Sequence, residues 1–174
     1  YLLLSLFMIT MISKKSILGI ILILLLLSIG LVIEVNKFST IQEDQIIMLD
    51  VDQGDSILVI SQGKIGLIDT GPFNNVSKKL SEEVPLFINQ IEFVILTHPD
   101  KDHIEGFLRI AQTYQIKNLY ISNLDKENDL TNKIKEVIVE RNINTHLINL
   151  NNNFYFGDIY MNVIWPEKET TSKE

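Results

Sequence analysis

The sequence predicts an α/β (α+β) domain, with helices covering a mixed sheet, preceded by a transmembrane helix. Three observations indicate this fold class. The first 33 residues contain no acidic side chain and are almost wholly apolar. Residues 45–68 contain three short apolar segments joined by turns, which is typical of antiparallel strands. From residue 91 onward strand-like and helix-like segments alternate, which is typical of a sheet covered by helices.

The transmembrane prediction concerns residues 16–33, an apolar run interrupted only by small or hydroxyl residues. As a helix this run would be about 27 Å long, close to the hydrocarbon thickness of a bilayer. The alternative is a secretory signal peptide, whose apolar region is usually about 7–15 residues long. The run is longer, and Ser28-Ile29-Gly30 is a poor cleavage site, so the anchor is favoured. Residues 1–12 are interpreted as the end of a preceding hydrophobic segment or a mis-assigned start.

Charge predicts the orientation of this helix and limits the partners of the domain. Lys14 and Lys15 precede the apolar run, whereas Glu34 and Lys37 cancel on its far side, so the domain is predicted to lie outside the cytoplasm at the cell membrane. Lys14 and Lys15 are the only charged residues among the first 33. The remainder carries 13 basic and 22 acidic side chains, a formal charge of −9. A domain with this net negative charge does not attract a polyanion, which argues against a sequence-reading DNA-binding module.

The elements of the first half follow from short apolar patterns. Residues 34–44 are mixed and polar and are predicted to be a linker. Apolar, β-branched segments predict strands at 45–51, 56–60 and 65–68, and the turn at 61–64 separates the last two. Asp69-Thr70-Gly71-Pro72 ends this pattern. A helix is predicted at 76–89, with a stop or bend near Pro85, because proline lacks the backbone N–H that a helix interior needs.

The elements of the second half alternate. The apolar run 91–96 predicts a strand, and apolar residues at helical spacing predict a helix at 104–115. The remaining predictions are a strand at 117–122, a helix at 130–141, a strand at 145–150, a turn at 151–153 and a strand at 159–165. The charged residues 167–174 are predicted to be a tail.

The chemically informative segment is Thr97-His98-Pro99-Asp100-Lys101-Asp102-His103, which follows the predicted strand 91–96. Four potential metal ligands lie within six residues, and carboxylates and imidazoles are costly to bring together without a cation between them. The mixed nitrogen and oxygen donors suit zinc or manganese. The alternative is that Asp102 and Glu105 form a capping pair for the following helix. Capping leaves His98, Asp100 and His103 unexplained, so a metal site is favoured.

Three segments of the sequence form a pattern together. They are Leu49-Asp50-Val51-Asp52-Gln53-Gly54-Asp55-Ser56, Leu67-Ile68-Asp69-Thr70-Gly71-Pro72 and Leu96-Thr97-His98-Pro99-Asp100-Lys101-Asp102-His103-Ile104-Glu105-Gly106. They resemble the metallo-β-lactamase (MBL) fold domain of the ComEC/Rec2 competence proteins, over about residues 45–166. The order and spacing of the segments match as well as their residues, and Trp165-Pro166 stands where the family often has a similar pair.

The resemblance implies an αββα sandwich, incomplete at the C-terminus, with one or two divalent metal ions at the sheet edge. His98 and Asp100 would hold the first metal, and Asp102 and His103 the second. Asp69 would support the ligand loop through hydrogen bonds. Gly106 would let the start of the helix pack closely.

The implied chemistry is metal-assisted hydrolysis, in which Asp102 orients or deprotonates a water whose pKa the metal has lowered. The N-terminal dipole of the helix beginning near His103 would favour an anionic substrate group. The resemblance further implies a DNA phosphodiesterase acting in DNA uptake outside the membrane, with single-stranded DNA as substrate and other competence components as partners.

The sequence also departs from the family pattern. Asp52 and Glu105 stand where the family has glycine, although Asp tolerates positive φ. The family's later Thr-Gly-Asp and His-His-Gly-Ser segments do not occur before Glu174, so weak or absent catalysis is predicted for residues 34–174 alone. His146 is expected to be a structural histidine in a strand. Two alternatives stay open: a non-catalytic metal-binding module, and a hydrolase of another substrate such as a lactone or lactam.

Overall fold

The computed structural model describes residues 14–73, 75–122, 128–148 and 153–164. The predictions for residues 1–12, for Trp165-Pro166 and for the tail lie outside the described residues. The chain divides into two compact units, one ending at Asn36 and the other beginning at Lys37.

Helix α1 spans Lys14–Thr40 and buries none of its residues. Within the described ranges it is the one helix long and apolar enough to cross a membrane, although a signal sequence near the N-terminus would meet the same criterion. The predicted linker at 34–44 is wrong for residues 34–40, which continue the helix. No glycine or proline interrupts them, and the side-chain amide of Gln45 donates to the carbonyl of Thr40 (2.6 Å), one of the carbonyls that a helix end leaves without a partner.

A six-stranded sheet organises the second unit, in the order β1-β2-β3-β4-β5-β6. Strands β1, β2 and β3 pair antiparallel, and β3, β4, β5 and β6 pair parallel. The mixed α/β class predicted from the sequence is therefore confirmed. The strands are β1 (Gln45–Met48), β2 (Ile57–Ser61), β3 (Lys64–Ile68), β4 (Gln90–Leu96), β5 (Gln115–Ile121) and β6 (Asn144–Leu147).

Four helices follow α1 in the part of the chain that the structure describes. They are α2 (Asn75–Glu83), α3 (Lys101–Ile104), α4 (Phe107–Thr113) and α5 (Asp129–Glu140). Their buried apolar side chains join one face of the sheet in a single core. Helix α5 begins with a capping box, in which the side chain of Asn128 accepts from the backbone of Leu130 and Thr131.

The opposite face of the sheet is covered by a hairpin that the sequence did not predict as such, with strands β7 (Phe154–Phe156) and β8 (Ile159–Met161). Phe154 and Phe156 pack edge-on against Phe93 of β4, with ring centroids 5.4 and 4.9 Å away. This contact is the centre of a second, smaller core. The described residues thus form three layers: helices, the central sheet and the hairpin.

Gly66 in β3 lies directly against the ring of Phe93 in β4. A β-carbon at this position would lie 2.2 Å from the ring of Phe93, a buried side chain confined by Phe154 and Phe156. We expect Gly66→Ala to lower the free energy of unfolding by about 1–3 kcal/mol, because the ring cannot retreat without strain. Urea denaturation of the detergent-solubilised chain measures this. Gly30→Ala, where nothing lies within 4 Å, is the control and should leave stability unchanged.

The neighbours of Glu92 in the sheet lower the pKa of its carboxyl group. Partial burial raises its pKa, but hydrogen bonds from Lys117 and Gln90 and the charges of Lys117 and Lys64 lower it by more, so its pKa lies below the usual 4.5. A lowered folded pKa stabilises the fold above the unfolded pKa, and this contribution is lost as the pH falls through the folded value. We expect Glu92→Gln to cost about 0.5 kcal/mol at pH 7. Urea titrations at falling pH should show the difference vanishing in acid, and a constant difference would contradict this account.

Candidate metal centre

The site is built where strands β3 and β4 end side by side. Ile68 pairs in parallel with Ile95, so Asp69 and the segment Thr97-His98 leave the sheet at the same edge. The loop after β4 is then tied to the loop after β3. The backbone N–H of Thr70 donates to the carbonyl of His103 (2.7 Å), and that of Gly106 donates to the carbonyl of Gly71 (2.9 Å).

Asp69, His98 and His103 form a cluster whose ligand atoms all lie within 4.8 Å of one another. The two imidazole rings are 3.8 Å apart between centroids and tilted by 49°. Asp69 is almost fully buried, His103 is mostly buried, and His98 is more open to solvent. The sequence-predicted residues His98, His103 and Asp69 are therefore brought together.

Asp69 uses its carboxylate to hold the loop. Its Oδ1 accepts from the backbone N–H of Thr97 (2.8 Å), and its Oδ2 accepts from the Thr97 hydroxyl (2.6 Å) and faces Nδ1 of His103 (3.1 Å). The residue adopts φ 55°, a left-handed conformation that Asp tolerates better than most residues. With three donors on two oxygens, Asp69 is suited to orienting His103 rather than to binding a metal directly.

This network selects the tautomer of each ring when the imidazole is neutral. An ionised carboxylate only accepts hydrogen bonds, so Nδ1 of His103 carries the proton that faces Asp69. The Thr97 hydroxyl spends its own proton on Asp69, so it accepts from Nδ1 of His98 (2.9 Å). In the neutral ring the second nitrogen then has a free lone pair. Both histidines thus present Nε2 as an available ligand atom.

Each Nε2 atom faces a carboxylate of the same loop. His98 Nε2 lies 3.6 Å from Asp100 Oδ2, and His103 Nε2 lies 4.0 Å from Asp102 Oδ1. Both distances exceed the range of a normal hydrogen bond. Two ligands on one tetrahedral zinc ion lie about 3.3–3.6 Å apart, given bond lengths near 2.0–2.2 Å. The His98–Asp100 pair has this spacing, and the His103–Asp102 pair at 4.0 Å is wider. The mixture of imidazole and carboxylate donors suits a divalent cation.

Asp55 is a site residue that the sequence reasoning did not single out. Its Oδ2 lies 3.9 Å from Nδ1 of His103, and its side chain is exposed. The preceding Gly54 adopts φ 92°, and a β-carbon there would lie 1.9 Å from the backbone oxygen of Asp102. Glycine thus permits the loop carrying Asp55 to touch the ligand loop. Asp55 could have been predicted from Gln53-Gly54-Asp55-Ser56, which belongs to the first of the three segments that resemble the competence proteins.

The two departures from the family pattern have local structural explanations. Asp52 adopts φ 67°, as the tolerance of Asp for positive φ allows, and its carboxylate accepts from the side chain of Asn75. Glu105 forms an ion pair with Lys101 (3.3 Å) and accepts from the backbone N–H of Phe73 (3.4 Å). Glu105 therefore links the loops after β3 and β4 instead of lying free beside the site.

The predicted helix at 104–115 is wrong at its start. Helix α3 contains only four residues, Lys101–Ile104, and α4 begins again at Phe107. Asp100 occupies the N-cap position without a side-chain capping bond, so the proposed Asp102–Glu105 capping pair does not form. A helix of four residues has only a small dipole, so the prediction that a helix dipole attracts an anionic substrate group is wrong. The close packing predicted for Gly106 is confirmed, because a β-carbon there would lie 2.1 Å from the carbonyl oxygen of Thr70.

A cavity of about 300 Å³ opens beside the ligand loop. The cavity has the size of a small-ligand site, and Asp102 lines it together with the ammonium of Lys101 and the carboxylate of Glu105. Its lining residues are Gln53, Pro72, Lys101, Asp102 and Glu105.

His146 lies in β6, stacked on Tyr120 with ring centroids 5.0 Å apart. Its Nε2 is 3.4 Å from the side-chain oxygen of Asn118. It is not part of the cluster formed by Asp69, His98 and His103. These contacts are those expected of a structural histidine.

Residues 49–131 match the metallo-beta-lactamase superfamily. The matched range contains Asp55, Asp69 and the complete loop from His98 to His103. This segment is therefore similar to the metallo-beta-lactamase superfamily, whose members are generally metal-dependent hydrolases. No curated protein matches the sequence.

Three solved structures are similar to this chain. One is the chemotaxis sensor ODP as a peroxy diiron species, with 24% identity over 47% of this chain and 35% of that chain and a TM-score of 0.40. The second is a diphosphatase from the PhnP family, with 22% identity over 59% of this chain and 39% of that chain and a TM-score of 0.37.

The third is a protein from Thermotoga maritima assigned as a metallo-beta-lactamase, with 15% identity over 62% of this chain and 56% of that chain and a TM-score of 0.39. This chain therefore spans between 35% and 56% of the length of the three structures.

Proposed function

We propose that this protein is a membrane-anchored, metal-dependent hydrolase of the competence type, with a DNA phosphodiester as its substrate. The observation that carries the proposal is the pair of imidazoles whose Nδ1 atoms are held by Thr97 and Asp69 while both Nε2 atoms face carboxylates at 3.6 and 4.0 Å. Two imidazoles and two carboxylates in one loop form a donor set that a divalent cation would hold together.

In this proposal His98 and Asp100 hold one divalent metal ion, and His103 and Asp102 hold a second or share the first. Zinc suits the mixture of imidazole and carboxylate, and manganese is the alternative. A bound divalent ion supplies a lowered pKa for water and charge stabilisation for a phosphoryl oxygen. Asp69 contributes by keeping His103 in one tautomer and one orientation.

Asp102 is proposed as the residue that orients the attacking water and accepts its proton. It is the one proposed ligand that also lines the cavity, and its side chain is about one-third exposed. A general base must lie within hydrogen-bonding reach of the water and remain accessible to substrate. Asp102 meets both conditions better than the buried Asp69.

The substrate class rests on the resemblance to the competence proteins and on Lys101, a cation that lines the cavity. Two features oppose the binding of a polyanion. The residues after residue 33 carry a formal charge of −9, and Glu105 already pairs with Lys101. Single-stranded DNA would therefore be bound locally, through metal and Lys101, rather than by a general basic surface. We also propose that α1 anchors the domain outside the cytoplasm, following the two lysines before it.

The second candidate is a non-catalytic metal-binding module. The specific observation in its favour is Glu105, whose carboxylate lines the same cavity and competes with an anionic substrate for Lys101. In this alternative the cluster binds metal, but no hydrolysis follows.

Metal titration combined with an assay separates these functions. The full chain in detergent should bind zinc and hydrolyse bis(p-nitrophenyl) phosphate or single-stranded DNA only weakly, as predicted for residues 34–174, and a chelator should abolish this residual reaction. We expect Asp102→Ala to lower kcat by at least about 100-fold, the usual contribution of a general base. Metal binding without turnover in the unmodified chain would favour the non-catalytic module. Equal activity in Asp102→Ala would remove the proposed role of that residue.

A further inference from the structure

Three exposed apolar side chains form one patch on the second unit. Phe38 is 48%, Leu86 78% and Phe87 58% exposed. The rings of Phe38 and Phe87 contact each other, with centroids 5.7 Å apart. Leu86 adjoins Phe87 in the turn after α2. Single exposed apolar residues need no explanation, but a contiguous group that includes two phenylalanines indicates a contact surface.

The patch has a fixed geometry. The Lys37 ammonium donates to the backbone carbonyl of Ser81 (2.6 Å), which ties the last turn of α1 to the end of α2. The turn carrying Leu86 and Phe87 is closed by the backbone N–H of Ile88, which donates to the carbonyl of Pro85 (3.1 Å). Ile41, three residues after Phe38, is fully buried in the main core. The two aromatic rings are therefore presented by ordered backbone.

The position of Phe38 along the chain relates the patch to the membrane span proposed for α1. Phe38 follows Ile33, the last residue of the apolar run, by five residues of the same helix, a rise of about 7.5 Å. The polar region of a bilayer extends about 5–8 Å beyond the hydrocarbon on each side. Phe38 thus falls at the depth where aromatic side chains are enriched in membrane proteins. Leu86 and Phe87 share its surface.

We propose that the patch formed by Phe38, Leu86 and Phe87 inserts into the polar boundary of the lipid bilayer that α1 crosses. The inference rests on the proposed anchoring by α1. Its driving force is burial of the apolar surface of these three side chains. The consequence is that the domain is held at the membrane by two contacts, the anchor and the patch.

Fluorescence quenching tests the insertion. The full chain is reconstituted in phosphatidylcholine vesicles, with Trp165→Phe as background and Phe87→Trp as the reporter. Lipids brominated near the headgroup should lower the reporter emission at least about twofold, because interfacial side chains reach about 5–10 Å into the boundary. Leu86→Trp serves as a second reporter if the first variant is unstable. Val139→Trp is the matched control, since Val139 is an apolar residue that is 80% exposed on α5.

The outcomes distinguish the patch from the anchor. If alkaline carbonate releases the chain from the vesicles, α1 is not an anchor and both proposals fall. If the chain resists carbonate but both reporters are quenched no more than Val139→Trp, the patch proposal alone is overturned. A blue-shifted reporter that lipid does not quench would show that protein covers the patch, which also overturns it. Quenching of the reporters without quenching of the control supports insertion.

Discussion

Replacing His103 by alanine is expected to weaken zinc binding by at least about 100-fold, more than the 10–100-fold typical of losing a supporting residue. The reason is that His103 presents its Nε2 towards Asp102 and is fixed by Asp69 on the other side, so no other side chain of the loop can take its place. Isothermal titration of the detergent-solubilised chain with zinc measures the change.

His146→Ala provides the control for this experiment. His146 belongs to the stack with Tyr120 and is outside the ligand cluster, so its removal should leave zinc affinity unchanged. Similar losses in both variants would indicate that the zinc effect reflects general destabilisation. An unchanged affinity in His103→Ala would reject the assignment of this residue as a ligand.

The second large effect is expected from Asp69→Asn. The substitution keeps the shape and the tolerance for positive φ at this position, but it removes the charge that accepts from Thr97 and His103. We expect zinc affinity to fall by about 10–100-fold, because His103 loses the partner that selects its tautomer. We also expect the free energy of unfolding to fall by about 1–3 kcal/mol, since buried donors are left poorly paired.

Asp55→Asn is the matched control, because Asp55 also faces Nδ1 of His103 but from an exposed position at 3.9 Å. Its zinc affinity should change by less than that of Asp69→Asn. The tautomer itself can be read from the nitrogen chemical shifts of the His103 ring. A ring that keeps its Nδ1 proton in Asp69→Asn would contradict the orienting role of Asp69.

The sequence was sufficient to predict the parts of the fold that depend on local patterns. Strands β2, β3 and β4 were predicted within one residue, because each is a short apolar run bounded by polar or turn residues. The convergence of Asp69 with His98 and His103 was reached through the resemblance. Local sequence patterns could not have predicted this convergence, because Asp69 and its hydrogen-bond partner Thr97 lie 28 positions apart in different loops.

Other features depend on tertiary contacts that no local pattern contains. Helix α1 extends to Thr40 although its last residues are polar, and the side chain of Gln45 satisfies its end. The helix predicted at 104–115 breaks before Phe107 because Gly106 packs against the carbonyl of Thr70, a residue from another loop. The strand predicted at 159–165 contains β8, which ends at Met161. Strand β7 was not predicted, because its three residues are too few to show a period, and the packing of Phe154 and Phe156 on Phe93 holds it in place.

The backbone bonds that join the two loops at the sheet edge have a consequence for the protein in the cell. Thr70 and Gly71 at the end of β3 are bonded to His103 and Gly106, so the ligand loop cannot leave its place without disturbing the centre of the sheet. A metal that binds only the folded domain raises its stability in proportion to the logarithm of free metal concentration. If the cluster of Asp69, His98 and His103 binds a metal ion, the metal would therefore also protect the domain against proteolysis.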